Sequence, residues 1–330
     1  MSQISPTYTI IIPLKEINDY VRETVSYVQA LDSIDWELII VPNNDDINEW
    51  ENEKRISLIS SGRVGPADKR DQAAKIAKGK ILVFLDDDSY PKSDLLSIAT
   101  RYFSDESISA IGGPAITPDS DTYWQKVSGA VFLSRFTGGN PERYKPIGGV
   151  KRVDDWPSVN FMVRKSDFLE IGGFDSPYWP GEDTHLCLKL VKAARKIYYV
   201  PTLIVWHHRR SGLLRHMRQV GAYGLHRGYF ARHMPETSRK LKYFLPSIVT
   251  IELFALILLP VVPMVVDRVI QLGLFFYILI LCGGFVDIMR KTNPVTALFS
   301  IPFVVSTHLS YGFNFIKGIL RHKELVSRLR

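Results

Sequence analysis

A short apolar run that ends in three consecutive carboxylates constrains this chain more than any other feature. Residues 81–85 read Ile-Leu-Val-Phe-Leu, and Asp86, Asp87 and Asp88 follow directly. An unbroken apolar run of this length is typical of a parallel strand that helices cover on both faces. Ligands of such sheets bind outside the carboxyl ends of the strands, so we expect the three acids to lie at a ligand site.

Three adjacent carboxylates repel one another unless a cation lies among them. Mg²⁺ and Mn²⁺ prefer hard oxygen ligands of this kind, and either ion can hold a phosphorylated substrate. The alternative is a solvated acidic turn, because the Asp, Ser and Pro residues of segment 86–91 all favour turns. The acids alone therefore favour a divalent-metal site, and other features must decide.

Short apolar runs alternate with segments of helical spacing in the N-terminal third of the chain. Helices are predicted at residues 17–31 and 66–78, and strands at residues 8–12, 36–41, 56–60 and 81–85. This β-α-β-α-β series predicts an α/β fold, with a doubly wound and mostly parallel sheet that has helices on both faces. No Gly-x-Gly-x-x-Gly follows the first strand, which argues against a dinucleotide-binding domain.

The C-terminal third differs sharply from the rest in composition. The chain has 330 residues, a net charge of +7 and a mean hydropathy of 0.00, which averages a charged part and an apolar part. Residues 244–266, 269–289 and 294–320 each reach the length of about 20 residues that crosses a hydrocarbon core. We predict a catalytic domain over residues 1–235 and a membrane domain over residues 236–330, with two to four apolar passes.

The termini and the basic segment before the apolar region suggest a location. Residues 1–6 are polar and form no secretory signal, so the large domain is predicted to be cytosolic, in a multi-pass protein of the cell (inner) membrane. Cys187 and Cys282 form no disulfide or zinc pattern. Residues 207–235 interleave Arg and His with apolar residues, which predicts an amphipathic helix on the membrane surface. Nucleic acid is the weaker alternative for this segment, because it leads directly into the apolar region.

Several motifs, in the same order along the chain, resemble glycosyltransferase family 2, the inverting enzymes with a GT-A fold, in their membrane-anchored form. The resemblance covers roughly residues 8–230. Its motifs are Ile10-Ile11-Ile12-Pro13, the helical segment 65–79, Phe84-Leu85-Asp86-Asp87-Asp88, Gly172-Gly173-Phe174 and Gly181-Glu182-Asp183. The family pattern at the strand end is Asp-x-Asp with a small middle residue, so Asp87 is a departure that leaves open which pair of acids binds the metal.

The resemblance implies a nucleotide-sugar site at the carboxyl ends of the strands. It places the metal, Mg²⁺ or Mn²⁺, on Asp88 and Asp86, and the base and ribose in the loop at residues 43–46. A basic residue early in the helix at 66–78 would lie near the diphosphate. The donor-binding residues implied are Pro13, Lys15, Glu16, Asn44, Asp45, Arg70, Asp86, Asp87, His208 and Arg209.

Glu182 and Asp183 form a second acidic centre. Glycosyl transfer with inversion needs a base that removes the proton of the attacking hydroxyl, and a carboxylate within hydrogen-bond reach can do so. The resemblance assigns this role to Asp183, with Glu182 beside it as a second catalytic residue. The alternative is that both acids favour the N-terminus of a helix through its dipole.

The combined prediction is a membrane-bound inverting glycosyltransferase of the hexosyltransferase type. It would move one sugar from a UDP- or GDP-linked donor to a lipid-linked or growing saccharide acceptor, in exopolysaccharide or cell-surface glycan synthesis. The processive members of the family carry Gln-x-x-Arg-Trp, whereas this chain reads Gln219-Val220-Gly221-Ala222-Tyr223, which favours single-sugar transfer. The alternatives are a polyprenyl-phosphate sugar synthase and a noncatalytic nucleotide-sugar-binding subunit of a synthase complex; a homo-oligomer would be compatible with each.

Overall fold

The computed structural model describes residues 6–45, 48–256 and 263–325. Within these residues the contacts group the chain into two compact units. Residues 6–116 and 145–208 form the sheet unit, and Thr117–Tyr144 with Arg209–Leu325 form the helical unit. The boundary at residue 235 that composition suggests between a catalytic and a membrane domain stays a prediction.

Helices and strands are labelled in chain order. They are β1 Tyr8–Pro13, α1 Asp19–Gln29, β2 Trp36–Val41, β3 Ile56–Leu58, α2 Pro66–Ile76, β4 Ile81–Phe84, β5 Ser89–Pro91, α3 Leu95–Phe103, β6 Ile108–Gly112, β7 Ala115–Ile116, α4 Tyr123–Ala130, β8 Lys151–Val153, β9 Phe161–Arg164, α5 Lys165–Glu170, α6 Glu182–Lys192, β10 Lys196–Tyr199, β11 Val205–His207, α7 Leu213–His233, α8 Pro235–Ser238, α9 Leu241–Ala255, α10 Met264–Lys291 and α11 Pro294–Ile319.

The sheet unit confirms the predicted α/β fold. Its main sheet has the strand order β3-β2-β1-β4-β9-β6-β10-β8, and a small second sheet has the order β5-β11-β7. The first four strands of the main sheet are parallel neighbours, as predicted, whereas β9 runs antiparallel to both β4 and β6. The sheet is therefore mixed rather than wholly parallel.

Both faces of the main sheet are covered, because successive residues of a strand point to opposite faces. In β1, Ile10 and Ile12 pack with α1 and α3 in one core cluster, while Ile11 packs with α2, α5 and α6 in the other. Ile11 pairs with Phe84 of β4, and Pro13 pairs with Val41 of β2. This register brings the carboxyl ends of β1, β2 and β4 to one edge of the sheet.

The Gly172-Gly173-Phe174 segment is held against α2 by one buried acid. Asp71 accepts hydrogen bonds from the backbone N–H groups of Phe174 and Asp175, each at 2.8 Å. Burial raises the pKa of this carboxyl. The Phe174 ring packs against Phe84 of β4 at a centroid distance of 5.1 Å. The segment that precedes α6 is therefore anchored to both α2 and β4.

Replacing Gly173 with Ala is expected to destabilise this anchor. Gly173 has a φ of +66°, and a Cβ atom there would lie 2.5 Å from Asp71 Oδ1. Strain of this kind costs about 1–3 kcal/mol in the free energy of unfolding, which thermal or denaturant melts of the detergent-solubilised chain would measure. Gly172→Ala is the matched control, because Gly172 has a φ of +78° but no atom within 4 Å of its Cβ position. Equal losses in the two variants would contradict a role for the Asp71 contact.

The helical unit is built around α11. Its α7 packs along α11 through glycines, because a Cβ atom at Gly224 or Gly228 would lie within 2.3 Å of a backbone carbonyl oxygen of α11. Small residues that allow such close approach are typical of packed membrane helices. Arg215, Arg218 and Arg232 of α7 are exposed. The location of residues 207–235 on a membrane surface stays a prediction.

Two helices, α10 and α11, are long and apolar enough to cross a membrane, which is compatible with membrane anchoring. The most apolar window of α10 is 17% buried, against 44% for α11, so α10 offers the larger exposed apolar surface. The first predicted apolar stretch, residues 244–266, corresponds in part to α9, which has 15 residues and ends at Ala255. Residues 257–262 of that stretch, including Pro260, lie outside the described residues.

Candidate active site

Asp86 and Asp88 come together with a histidine from the small second sheet. His207 is the last residue of β11, and β11 pairs with β5 so that His207 lies opposite Ser89. Its Nε2 atom lies 3.1 Å from Asp88 Oδ1. One potential ligand atom from each of Asp86, Asp88 and His207 lies within 4.8 Å of the others. The carboxyl end of β4 thus carries a cluster of two carboxylates and one imidazole.

The side chain of Asp87 points elsewhere. Asn18 Nδ2 donates a hydrogen bond of 3.3 Å to Asp87 Oδ2. Asn18 also caps α1, since its Oδ1 atom accepts a hydrogen bond of 3.1 Å from the backbone N–H of Val21. Of the three consecutive acids, Asp86 and Asp88 therefore belong to the cluster with His207, whereas Asp87 contacts Asn18 at the start of α1.

Arg70 of α2 connects this cluster with the second acidic centre. Its side chain is 2% exposed, and its two terminal nitrogens contact different acids, Asp86 Oδ1 at 2.6 Å and Glu182 Oε1 at 3.1 Å. The guanidinium also lies over the Phe174 ring, 5.4 Å from its centroid. The two acidic centres, remote in sequence, are thus neighbours at one edge of the sheet.

Glu182 and Asp183 occupy the first turn of α6, but their environments differ. Glu182 is 6% exposed. Burial, assisted by the negative charge of Asp183 and opposed by Arg70, raises the pKa of Glu182 to about 7. Asp183 is half-buried, and its Oδ1 atom accepts a hydrogen bond of 2.7 Å from the backbone N–H of Thr184. Of the pair, Asp183 is the more accessible to a substrate.

The ends of β1 and β2 are joined by a buried lysine. Lys69 Nζ donates hydrogen bonds to the carbonyl oxygens of Leu14 and Val41 and to Asn43 Oδ1, at 2.7, 3.2 and 2.7 Å. Pro13 is buried at the end of β1. The other predicted donor-binding residues of these two loops are exposed, namely Lys15, Glu16, Asn44 and Asp45. Asp46, predicted to belong to the same loop, lies outside the described residues.

His208 and Arg209, the last two predicted donor-binding residues, have other partners. His208 Nε2 lies 2.8 Å from Glu23 Oε2 of α1, and its backbone N–H donates to the carbonyl oxygen of Asp88 at 3.0 Å. Arg209 belongs to the helical unit, where its Nε atom donates to Thr117 Oγ1 at 3.0 Å. A donor-binding role for either residue stays a prediction.

Sequence reasoning did not include His207 in the site. Adjacent histidines on a strand point apart, and His207 and His208 do contact different acids, Asp88 and Glu23. From the sequence, His207 was assigned only to the basic segment at residues 207–235. The available signal was its position at the end of a short strand, level with the acids once β11 pairs with β5.

The donor set of the cluster fits a divalent cation. Carboxylates suit Mg²⁺ and Mn²⁺, while the imidazole of His207 adds a nitrogen ligand that Mg²⁺ accepts less readily. Such an ion would be held by Asp86, Asp88 and His207. The described side chains of this cluster are therefore compatible with a divalent cation such as Mn²⁺ or Mg²⁺.

Comparison with known proteins finds a family match for about the first half of the chain, relatives over different shares of it, and a structural neighbour for most of it. Residues 9–169 match the family model described as Glycosyl transferase family 2. A pre-mycofactocin glycosyltransferase from Mycobacterium tuberculosis is 27% identical over 165 residues, which are 48% of this chain and 33% of the relative. The chain thus matches about a third of that relative's length.

A relative from Methanococcus voltae aligns over more of the chain. It is a dolichyl N-acetyl-alpha-D-glucosaminyl phosphate 3-beta-D-2,3-diacetamido-2,3-dideoxy-beta-D-glucuronosyltransferase, 21% identical over 287 residues, which are 84% of this chain and 80% of the relative. Among solved structures, the mannosyltransferase PcManGT from Pyrobaculum calidifontis, in complex with GDP-Man and Mn²⁺, has a TM-score of 0.56 at 13% identity. The superposition covers 92% of this chain and 86% of that one, and it shows a shared fold.

Proposed function

We propose that this chain is a membrane-bound inverting glycosyltransferase, because residues 9–169 match the family model described as Glycosyl transferase family 2 and the chain shares its fold with a mannosyltransferase structure. It would transfer one sugar from a UDP- or GDP-linked donor to a lipid-linked or growing saccharide acceptor. One observation carries the proposal: Arg70 contacts both Asp86 and Glu182, so a candidate cation-binding cluster and a candidate base lie next to each other. Inverting transfer with a metal-bound donor would use both groups at one site.

The cluster of Asp86, Asp88 and His207 would bind the divalent cation that holds the donor diphosphate. When bound, the cation stabilises the negative charge that develops on the leaving diphosphate. Arg70 adds a fixed positive charge beside Asp86, in a buried setting where such a charge acts more strongly than in water. The two sheets and α2 position these groups in the absence of a donor.

Asp183 would remove the proton of the acceptor hydroxyl as that oxygen attacks the anomeric carbon. It is the more exposed member of the acid pair, whereas Glu182 is buried against Arg70. The N–H of Thr184 and the start of α6 orient the Asp183 carboxylate. Glu182 would act on Asp183 through its charge, because the two carboxyls interact electrostatically.

The apolar helices and the archaeal relative support the membrane part of the proposal. Helices α10 and α11 would anchor the chain in the cell (inner) membrane, as a multi-pass protein with its catalytic domain in the cytosol. The Methanococcus relative has a dolichyl-linked sugar phosphate in its name, which is a lipid-linked compound. A lipid-linked acceptor in a cell-surface glycan or exopolysaccharide pathway would suit an anchored enzyme.

The test is a panel of nucleotide sugars, each added to the detergent-solubilised full chain with and without Mn²⁺. A ligand that binds the folded state raises the melting temperature, so we expect a shift of several degrees for the correct donor, and only with the cation. That donor should then release its nucleotide when a polyprenyl-linked saccharide is added. If no UDP- or GDP-sugar raised the melting temperature, the proposal would be wrong. Binding without transfer to any acceptor would instead identify a noncatalytic subunit.

A further inference from the structure

Arg70 is placed to do more than contact a donor. Its guanidinium is almost fully buried, and it divides its two terminal nitrogens between Asp86 and Glu182. Its Nε atom is buried and has no hydrogen-bond partner among the described residues. A guanidinium has five N–H donors in a fixed fork, so in one orientation it can contact two acids from different parts of the chain.

Asp86 belongs to two groups at once. It is one of the three residues that offer ligand atoms to a cation, and it is also the acid with the shorter contact to Arg70, at 2.6 Å. A divalent ion and Arg70 would therefore share one carboxylate. In this structure the Arg70 guanidinium is a positive charge that offsets the repulsion among the acids.

The Phe174 ring supports the Arg70 guanidinium on one face. Arg70 lies over the Phe174 ring, and the next residue of α2, Asp71, holds the backbone of that same segment. The contact to Glu182 then ties Arg70 to the first turn of α6. Arg70 thus links Asp86 to the acid pair of α6 through one side chain.

We propose that Arg70 is a positioning residue that occupies Asp86 until a divalent cation binds, and that cation binding then leaves Arg70 to hold Glu182. This inference rests on the proposed function, because it assumes that the cluster binds a cation. Coupling between two sites is reciprocal, so a change that frees Asp86 from Arg70 must favour the cation. Arg70 therefore lowers the cation affinity of the site while it aligns the acid pair.

The test measures Mn²⁺ affinity of the full chain in detergent without any donor, by electron paramagnetic resonance of the free ion. We expect Arg70→Gln to bind Mn²⁺ about tenfold more tightly than the wild type, because a positive charge beside the ligands is lost. The same variant should lose transfer through kcat rather than through KM for the donor. Arg70→Lys, which keeps the charge, should bind Mn²⁺ with nearly wild-type affinity.

Arg164→Gln is the matched control. Arg164 is also an arginine beside an aromatic ring, that of Phe103, but it donates to the backbone carbonyl oxygens of Phe103 and Ile108 and pairs with Ile81, at the start of β4 and away from the acids. The Arg164→Gln substitution removes the same charge and should leave the Mn²⁺ affinity unchanged. Weaker or unchanged Mn²⁺ binding in Arg70→Gln would show that Arg70 merely supports the cluster, and would overturn the inference.

Two further readouts separate the ways in which the test can fail. If the wild type bound no Mn²⁺, the proposed function itself would fail, and this would be evident before any variant is made. If thermal melts showed that Arg70→Gln does not fold, the Arg70→Lys variant would test the positioning role. A lysine side chain has one ammonium group in place of the planar guanidinium and cannot contact both acids in the same way. The kcat of this variant should therefore fall, although its Mn²⁺ affinity stays close to that of the wild type. A Lys variant with full kcat would overturn the positioning role.

Discussion

Replacing Asp88 with Asn is expected to lower the Mn²⁺ affinity of the chain about 100-fold or more, and with it sugar transfer. Substitutions that act on a metal only through its ligands cost about 10- to 100-fold in affinity, so loss of a ligand should cost at least as much. Asp88 is 7% exposed and lies against His207, and an amide at this position cannot supply the lost negative charge. Titration with Mn²⁺ in the absence of donor measures the effect directly.

Asp87→Asn is the control for that measurement, because the chain offers an identical acid one residue away. The Asp87 side chain accepts from Asn18 at the start of α1. Its replacement should therefore leave the Mn²⁺ affinity near the wild-type value, while His207→Ala should lower it about tenfold. If Asp87→Asn lost as much affinity as Asp88→Asn, the division of the three acids would be wrong.

The strand that carries these acids was predictable from the sequence because its signal is local. Residues 81–85 are apolar throughout, and the covered position of β4 between β1 and β9 requires this. The parallel order of β1 to β4 follows from short connections of strand, helix and strand, which admit few topologies. The antiparallel strand β9 was not predicted, since its four residues lie far along the chain and resemble any short apolar run.

The contacts that define the site could be predicted only in part. The resemblance to a known family brought Asp86, Asp88 and Asp183 into one hypothesis, but it did not indicate that Arg70 bridges the two centres. His207 joins the acids through the pairing of a three-residue strand, and nothing local in the sequence specifies that register. Likewise, no compositional shift marks residues 117–144, which group with the C-terminal helices rather than with the sheet.

Replacing Asp183 with Asn is expected to lower kcat about 10²- to 10⁴-fold, the usual contribution of a general base. Mn²⁺ and donor binding should be unchanged, because Asp183 is not one of the clustered ligand residues. The measurement is transfer of a radiolabelled sugar to a lipid-linked saccharide. Glu170→Gln, at the exposed end of α5 and paired with Arg195, is a control that should keep full activity. Substantial transfer by Asp183→Asn would instead indicate a polyprenyl-phosphate sugar synthase, whose acceptor phosphate needs little help from a base.

The pH dependence separates the two acids of α6. Burial raises the pKa of Glu182 to about 7, so this carboxyl is largely protonated at pH 6 and ionised at pH 8. The charge that forms beside Asp183 makes capture of a proton there more favourable, and wild-type kcat/KM should therefore rise through pH 7. Glu182→Gln should retain a measurable rate and lose this inflection, because an amide does not titrate. Complete loss of transfer in Glu182→Gln, with activity kept in Asp183→Asn, would make the buried glutamate the base and would reverse the roles of the pair.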